Sequence, residues 1–184
     1  MGSGAFPHQL EREVVAALQD LMGRHALDRV MRMAALDGTQ TLARLGVALE
    51  DLYGVDEEQA LMRQAGRRVL KSLWQDWTVG RIGLRFQDLL PAAIALDWDL
   101  LILSEMFNRS WPQSVQLERL PTGYLWRMRA CPFCQGRYGT RPLGGGMQGV
   151  LEGLLQIAHA TSFTVRERAC IALGHRVCEF EIEK

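Results

Sequence analysis

The hydrophobic period of this chain changes once, at Pro112, and that change limits the folds open to it. Before Pro112 apolar residues recur at three- and four-residue steps; after it they alternate. Leu10, Val14, Leu18 and Leu21 mark a first helix that can begin around Pro7 and stops at Gly23. Leu27, Val30, Met31 and Ala34 mark a second, ending before Asp37-Gly38. Thr41 to Tyr53 form a third, with Gly54 as its C-cap. Asp56 precedes a long amphipathic segment carrying Leu61, Ala65, Val69, Leu73 and Trp77. Leu84 to Phe107 supply one or two further helices with Pro91 as a boundary, and Gly80 and Gly83 loosen the connection before them. Beyond Pro112, Val115 and Leu117, then Tyr124, Trp126 and Met128, alternate with polar residues around Pro121-Thr122-Gly123, which predicts a hairpin. Gly144-Gly145-Gly146 reads as a flexible link into a helix carrying Val150, Leu151, Leu154 and Leu155. Phe163–Ile171 and Val177–Ile182, joined at Gly174-His175, form a second hairpin. The expected fold is α/β, one domain over residues 1–184. A mainly helical half (7–111) packs on an antiparallel sheet, with strand–strand–helix–strand–strand over 112–184. A doubly wound parallel sheet would require strands between the early helices.

Composition removes several function classes. With 184 residues, 48% of them hydrophobic, and five tryptophans, the chain can bury a core without disulfide staples. Its 21 basic and 21 acidic residues cancel, which argues against direct nucleic-acid binding, where a basic excess supplies most of the affinity. The basic run Arg63, Arg67, Arg68 and Lys71 reads as the solvated face of a helix. The most apolar stretch, Leu89 to Leu103, is broken by Asp97 and Asp99 and is too short to span a bilayer. With no targeting segment at Met1–Ala5, the chain reads as soluble and cytoplasmic.

All four cysteines lie from Cys131 onward. Cys131-Pro132-Phe133-Cys134 closes the first hairpin, and Cys170 and Cys178 flank the turn of the second. Four soft donors converging on a tetrahedron suit zinc. A redox dithiol at Cys131 and Cys134 is the rival reading. It would want the first cysteine at a helix N-terminus, whereas here Gln135-Gly136-Arg137-Tyr138-Gly139 follows as loop. Glu167 is a further candidate ligand, because a carboxylate among Phe163 and Val165 needs a partner, either a metal or an arginine such as Arg129. In a regular strand Glu167 and Cys170 point to opposite faces, so both reach one ion only if the strand bulges or ends near Ala169.

The pattern Glu167-Arg168-Ala169-Cys170, then Gly174 and Cys178-Glu179-Phe180-Glu181-Ile182, preceded by the helix from Gly149, resembles the 4-vinyl reductase domain family. The resemblance implies an α/β fold, often dimeric, enclosing an apolar pocket, and related to vesicle-tethering subunits and to sensory domains of aromatic-responsive activators. In those sensors a glutamate and three cysteines hold zinc. Glu167, Cys170 and Cys178 match three of these ligands, and the fourth would fall near Gly144, where this chain has no cysteine. Cys131 or Cys134 would complete the set, or all four cysteines would close it without Glu167. The family's name comes from a protein of bacteriochlorophyll synthesis associated with reduction of a vinyl group, yet neither a dinucleotide fingerprint nor iron–sulfur spacing is visible here.

The expected function is therefore a zinc-containing binding or carrier domain for an apolar, aromatic or tetrapyrrole-like molecule. An enzyme of tetrapyrrole reduction and a scaffold without small ligand are the alternatives. Trp74, Trp98, Trp126, Arg127 and Arg129 are the candidate ligand-binding residues, with Phe86, Phe107, Trp111 and Met128 as further lining. The competing reading is that the tryptophans fill the core and the arginines face water. A homodimer built on the helical half, and a separate protein partner, are the expected associations.

Overall fold

The computed structural model describes residues 5–34, 42–76 and 91–184. Asp37-Gly38, Thr41, Trp77, Gly80, Gly83, Phe86 and the predicted helical start at Leu84 lie outside them. Helix α1 (Ala5–Met22) ends at Gly23 and α3 (Leu42–Tyr53) at Gly54. Both glycines hold positive φ, and each donates its N–H back to the preceding turn. Helix α2 (Arg24–Ala34) lies between them. Helix α4 (Val55–Asp76) buries Leu61, Ala65, Val69 and Leu73 as its spacing predicts. It buries a second row as well, Met62, Gly66, Leu70 and Trp74, because another helix covers that side. Helix α5 (Ala92–Ser110) begins directly after Pro91.

Strands β1 (Val115–Leu120) and β2 (Gly123–Met128) form the first hairpin, and β3 (Thr164–Ala169) and β4 (Cys178–Glu183) the second. β2 and β4 pair at the centre, giving a four-stranded antiparallel sheet ordered β1-β2-β4-β3. The Asn108 side chain bonds both the N–H and the C=O of Val115, so the end of α5 fixes the start of β1. Tyr124, Trp126 and Met128 face inward beside Ile182, Phe180 and Cys178 of β4. On the outer face Arg127 bonds Glu118 and Glu179 across three strands.

Helix α6 (Gly145–Ile157) packs mainly on α4. The three glycines predicted as a flexible link instead stand at the entry and first turn of this helix, all buried. A Cβ on Gly146 would sit 2.4 Å from the Phe133 ring, on Gly66 2.2 Å from the Gly146 carbonyl, and on Gly149 2.0 Å from the Arg63 carbonyl. Glycine permits that backbone approach and no other residue does. Beside this crossing Arg63 and Arg67 both bond Glu152 of α6, so two members of the supposed solvated face clasp a neighbouring helix, while Arg68 and Lys71 are exposed. Burial pushes the Glu152 carboxyl up. Hydrogen bonds and charge from the two arginines outweigh it and hold the group below its ordinary value. Among the described residues no helix is long and apolar enough to cross a membrane.

Candidate metal centre

Three separate segments carry the donors to one place. Beyond Met128 the chain turns through Cys131-Pro132-Phe133-Cys134, where the N–H groups of Cys134 and Gln135 both return to the Cys131 carbonyl. Cys178 opens β4 opposite Met128, so the register sets it beside that turn. On β3, Glu167 pairs with Phe180 but Ala169 pairs with Glu179, and the strand ends there. Arg168 is the extra residue of the irregularity, and the parity conflict between Glu167 and Cys170 is thereby removed. Cys170 precedes a 3-10 turn (Ile171–Leu173) closed by Gly174 at φ +87°.

One ligand atom each from Cys134, Glu167, Cys170 and Cys178 lies within 4.8 Å of the others. The Cys134 and Cys170 sulfurs are 3.6 Å apart. Zinc–sulfur bonds of about 2.3 Å in a tetrahedron put neighbouring sulfurs about 3.8 Å apart, so the spacing is that of a single ion. Backbone N–H groups of Leu143 and Ile171 point at the Cys170 and Cys178 sulfurs, at 3.4 and 3.3 Å, a polarity that favours thiolates. Cys131 stands outside the four-donor group and hydrogen-bonds the thiols of Cys134 and Cys178. All four cysteines are free and buried.

The electrostatics call for a cation. Burial, then the charge on Cys170, pushes Glu167 up to about 9, and contact with three other thiols plus burial drives Cys134 upward. Cys131 moves down, held by hydrogen bonds from Cys134 and Cys178. Without positive charge the donors cannot all ionise together. Glu167 accepts the Gly144 N–H through Oε2 at 3.0 Å, whereas its Oε1 is buried with no hydrogen-bond partner. An orphaned carboxylate oxygen among thiols is a donor set that a divalent soft-to-borderline ion would complete. A Cβ on Gly144 would lie 2.5 Å from that Oε1, so the Glu167 carboxylate occupies the space a side chain at 144 would need.

The residues expected around a ligand disperse. Trp74 and Trp126 are fully buried, and their indole N–H groups have no acceptor. Trp126 meets Phe107 edge-on, and Phe107 stacks on Trp111. Trp98 is 62% exposed on the outer side of α5. Arg127 is engaged with carboxylates on the outer sheet face, and Arg129 is exposed. An open groove of about 520 Å³ lies between the start of α5 and the sheet end, lined by Ala92, Leu120, Tyr124 and Phe163, with Arg119 and Lys184 at its edge. Tyr124 donates to Asp97 at 2.6 Å, and burial, with that bond, raises its hydroxyl to about 12.

Sequence reasoning missed Arg137 and Glu58. Arg137 sits in apparent loop yet is buried, bonding Glu58 of α4 and Glu50 of α3, each at 2.9 Å. Its pocket exists because position 46 is glycine; a Cβ there would stand 2.3 Å from the guanidinium. Gly46 on a helix face was the available signal.

Residues 126–184 match the family model of the 4-vinyl reductase domain. No curated protein matches the chain. Among solved structures, the fold resembles the IWP-051-bound H-NOX of Shewanella woodyi in its Fe(II)CO ligation state, with 15% identity over 95% of this chain and 92% of that one (TM-score 0.54). The H-NOX domain of Shewanella oneidensis in the Fe(II)CO state gives 15% identity over 93% and 96% (TM-score 0.57). A vinyl-4-reductase family protein of Methanocaldococcus jannaschii gives 16% identity over 86% and 92% (TM-score 0.44).

Proposed function

From a chain whose last third is a 4-vinyl reductase domain, we propose a metal-stabilised domain that binds an apolar small molecule. Its zinc ligands are Cys134, Glu167, Cys170 and Cys178. The observation that carries the metal reading is the buried, unpartnered Glu167 Oε1 within bonding distance of one ion shared with three thiols. Four protein ligands leave zinc no open position, so the ion is structural and activates no water. It fastens the turn after β2, the end of β3 and the start of β4 to one point.

The ligand reading draws on other observations. The groove between α5 and the sheet offers an apolar lining with Arg119 and Lys184 able to meet a carboxylate, a pattern of apolar walls and few polar groups common to small-molecule sites. The unpaired indole N–H groups of Trp74 and Trp126 would each gain an acceptor if a ligand reached them. An aromatic acid or a tetrapyrrole bearing carboxylates fits these features. The same fold in H-NOX proteins accompanies an Fe(II)CO ligation state and, in one case, bound IWP-051. Native mass spectrometry and an absorption spectrum of untreated protein test this, followed by titration with a porphyrin and a simple aromatic acid. Saturable quenching that Arg119→Ala weakens supports the groove; no retained molecule and no saturable response would refute it. A homodimer through the helical half belongs to the same proposal, supported by Ile94, Trp98 and Leu101 exposed along one side of α5. Sedimentation at high micromolar concentration decides it, a monomeric mass being the contrary result.

A further inference from the structure

The two ends of the donor cluster are also joined through the helical half. Arg137, three residues past Cys134, donates Nη1 to Glu58 at 2.9 Å and to the Phe133 carbonyl at 3.4 Å, and Nη2 to Glu50. The Gln59 amide donates to Glu58 Oε2 at 2.5 Å and accepts the Gly145 N–H at 3.0 Å. One residue earlier, the Gly144 N–H holds Glu167. A continuous path thus runs from the Cys134 turn through Arg137, Glu58, Gln59 and Gly145 to Glu167, by way of the first turn of α4. Glu58 is fully buried and Arg137 4% exposed.

Such a pair contributes little to bare stability, since desolvating both charges offsets their attraction. Its effect is geometric. Glu58 can stay ionised in the core only with the guanidinium against it, and the guanidinium reaches it only while the Cys131–Cys134 turn holds its shape. A metal ion clamps that turn at one end and Glu167 at the other.

We infer that Arg137, Glu58 and Gln59 are positioning residues that couple occupancy of the metal centre to the seating of α3 and the first turns of α4. This rests on the metal reading above. Loss of the ion frees the Cys134 turn, withdraws Arg137 and loosens residues 42–62. By thermodynamic reciprocity, anything that displaces α3 or α4 weakens the hold on the ion. The centre is then a point through which the helical half reads metal state, and through which a molecule bound to the helices changes metal retention.

Hydrogen exchange on the full chain, zinc-loaded and chelator-treated, tests it. Zinc removal should cost protection in 42–53 and 55–62 as well as around the ligands. Removing both charges in Arg137→Met/Glu58→Leu keeps apolar bulk in the core and leaves no unpaired charge. That variant should bind one zinc per chain, pass it to a chromophoric chelator about tenfold faster, and show no zinc-dependent exchange difference in 42–62. Gln59→Ala, at a half-buried neutral site, should give a smaller change in the same direction, with an unaltered cobalt-substituted spectrum showing the ligands intact. Equal protection of 42–62 with and without zinc in the parent chain, or parental transfer rates in both variants, would overturn the inference and leave the metal reading standing. A parent chain that takes up no zinc would refute that reading, and this inference with it.

Discussion

Replacing Gly66 by alanine tests the helix crossing that supports the 4-vinyl reductase region. The new methyl carbon would start 2.2 Å from the Gly146 carbonyl oxygen and 2.9 Å from the Val150 nitrogen, both backbone atoms of α6 that cannot rotate away. Ordinary contact begins near 3.4 Å, so α4 and α6 must part by about 3.4 − 2.2 = 1.2 Å. Overpacking a core costs about 1–3 kcal/mol, and the upper end applies where backbone must move. A gap of this size also forfeits a quarter to half of the dispersion energy along the seam. Alanine recovers about 1 kcal/mol of helix propensity, leaving a net loss of about 2 kcal/mol. Chemical unfolding followed by far-ultraviolet dichroism and tryptophan emission would measure it. Gln64→Ala, exposed on the same helix, serves as the control and should stay within about 0.5 kcal/mol of the parent. A Gly66→Ala chain as stable as the parent would mean that the two helices are not in the described contact.

The Glu152 clasp gives a pH signature. Its folded pKa lies below the ordinary 4.5, so its contribution is complete above that value and fades as pH falls through the lowered one. Glu152→Gln should cost about 1 kcal/mol at pH 7, given the partly exposed arginines, and flatten the acid limb of a stability–pH curve; an unchanged acid limb would contradict it. At the metal centre, Cys134→Ser should abolish stoichiometric zinc in elemental analysis, whereas Cys131→Ser should retain it. The reverse order would make Cys131 the ligand.

Much of this architecture was legible because local and global signals agree. The period change at Pro112 separates helices from sheet, and Gly23 and Gly54 stop helices where the pattern fades. The second apolar row of α4 was harder to place, since Met62, Gly66, Leu70 and Trp74 acquire meaning only once α6 is known to lie there. The glycines at 144–146 resemble a linker by composition; tertiary approach, which sequence does not display, makes them structural. For the site, the spacing of Glu167, Cys170 and Cys178 pointed at a ligand set, and its parity conflict pointed at the irregularity found at Arg168. Choosing between Cys131 and Cys134 depends on the fold of a three-residue turn, below the resolution of pattern. Arg137 and Glu58 were invisible for a related reason. A loop arginine and an acidic residue in a helix's first turn each have a commonplace explanation alone, and their pairing spans 79 positions.

Zinc K-edge absorption of protein purified without added metal tests the central claim most directly, because it counts the ion and its donors together. The account predicts one zinc per chain with three sulfurs at about 2.3 Å and one oxygen at about 2.0–2.2 Å. Four sulfurs would remove Glu167 from the set, and absence of stoichiometric zinc, or a shell of nitrogen and oxygen alone, would contradict the metal centre itself.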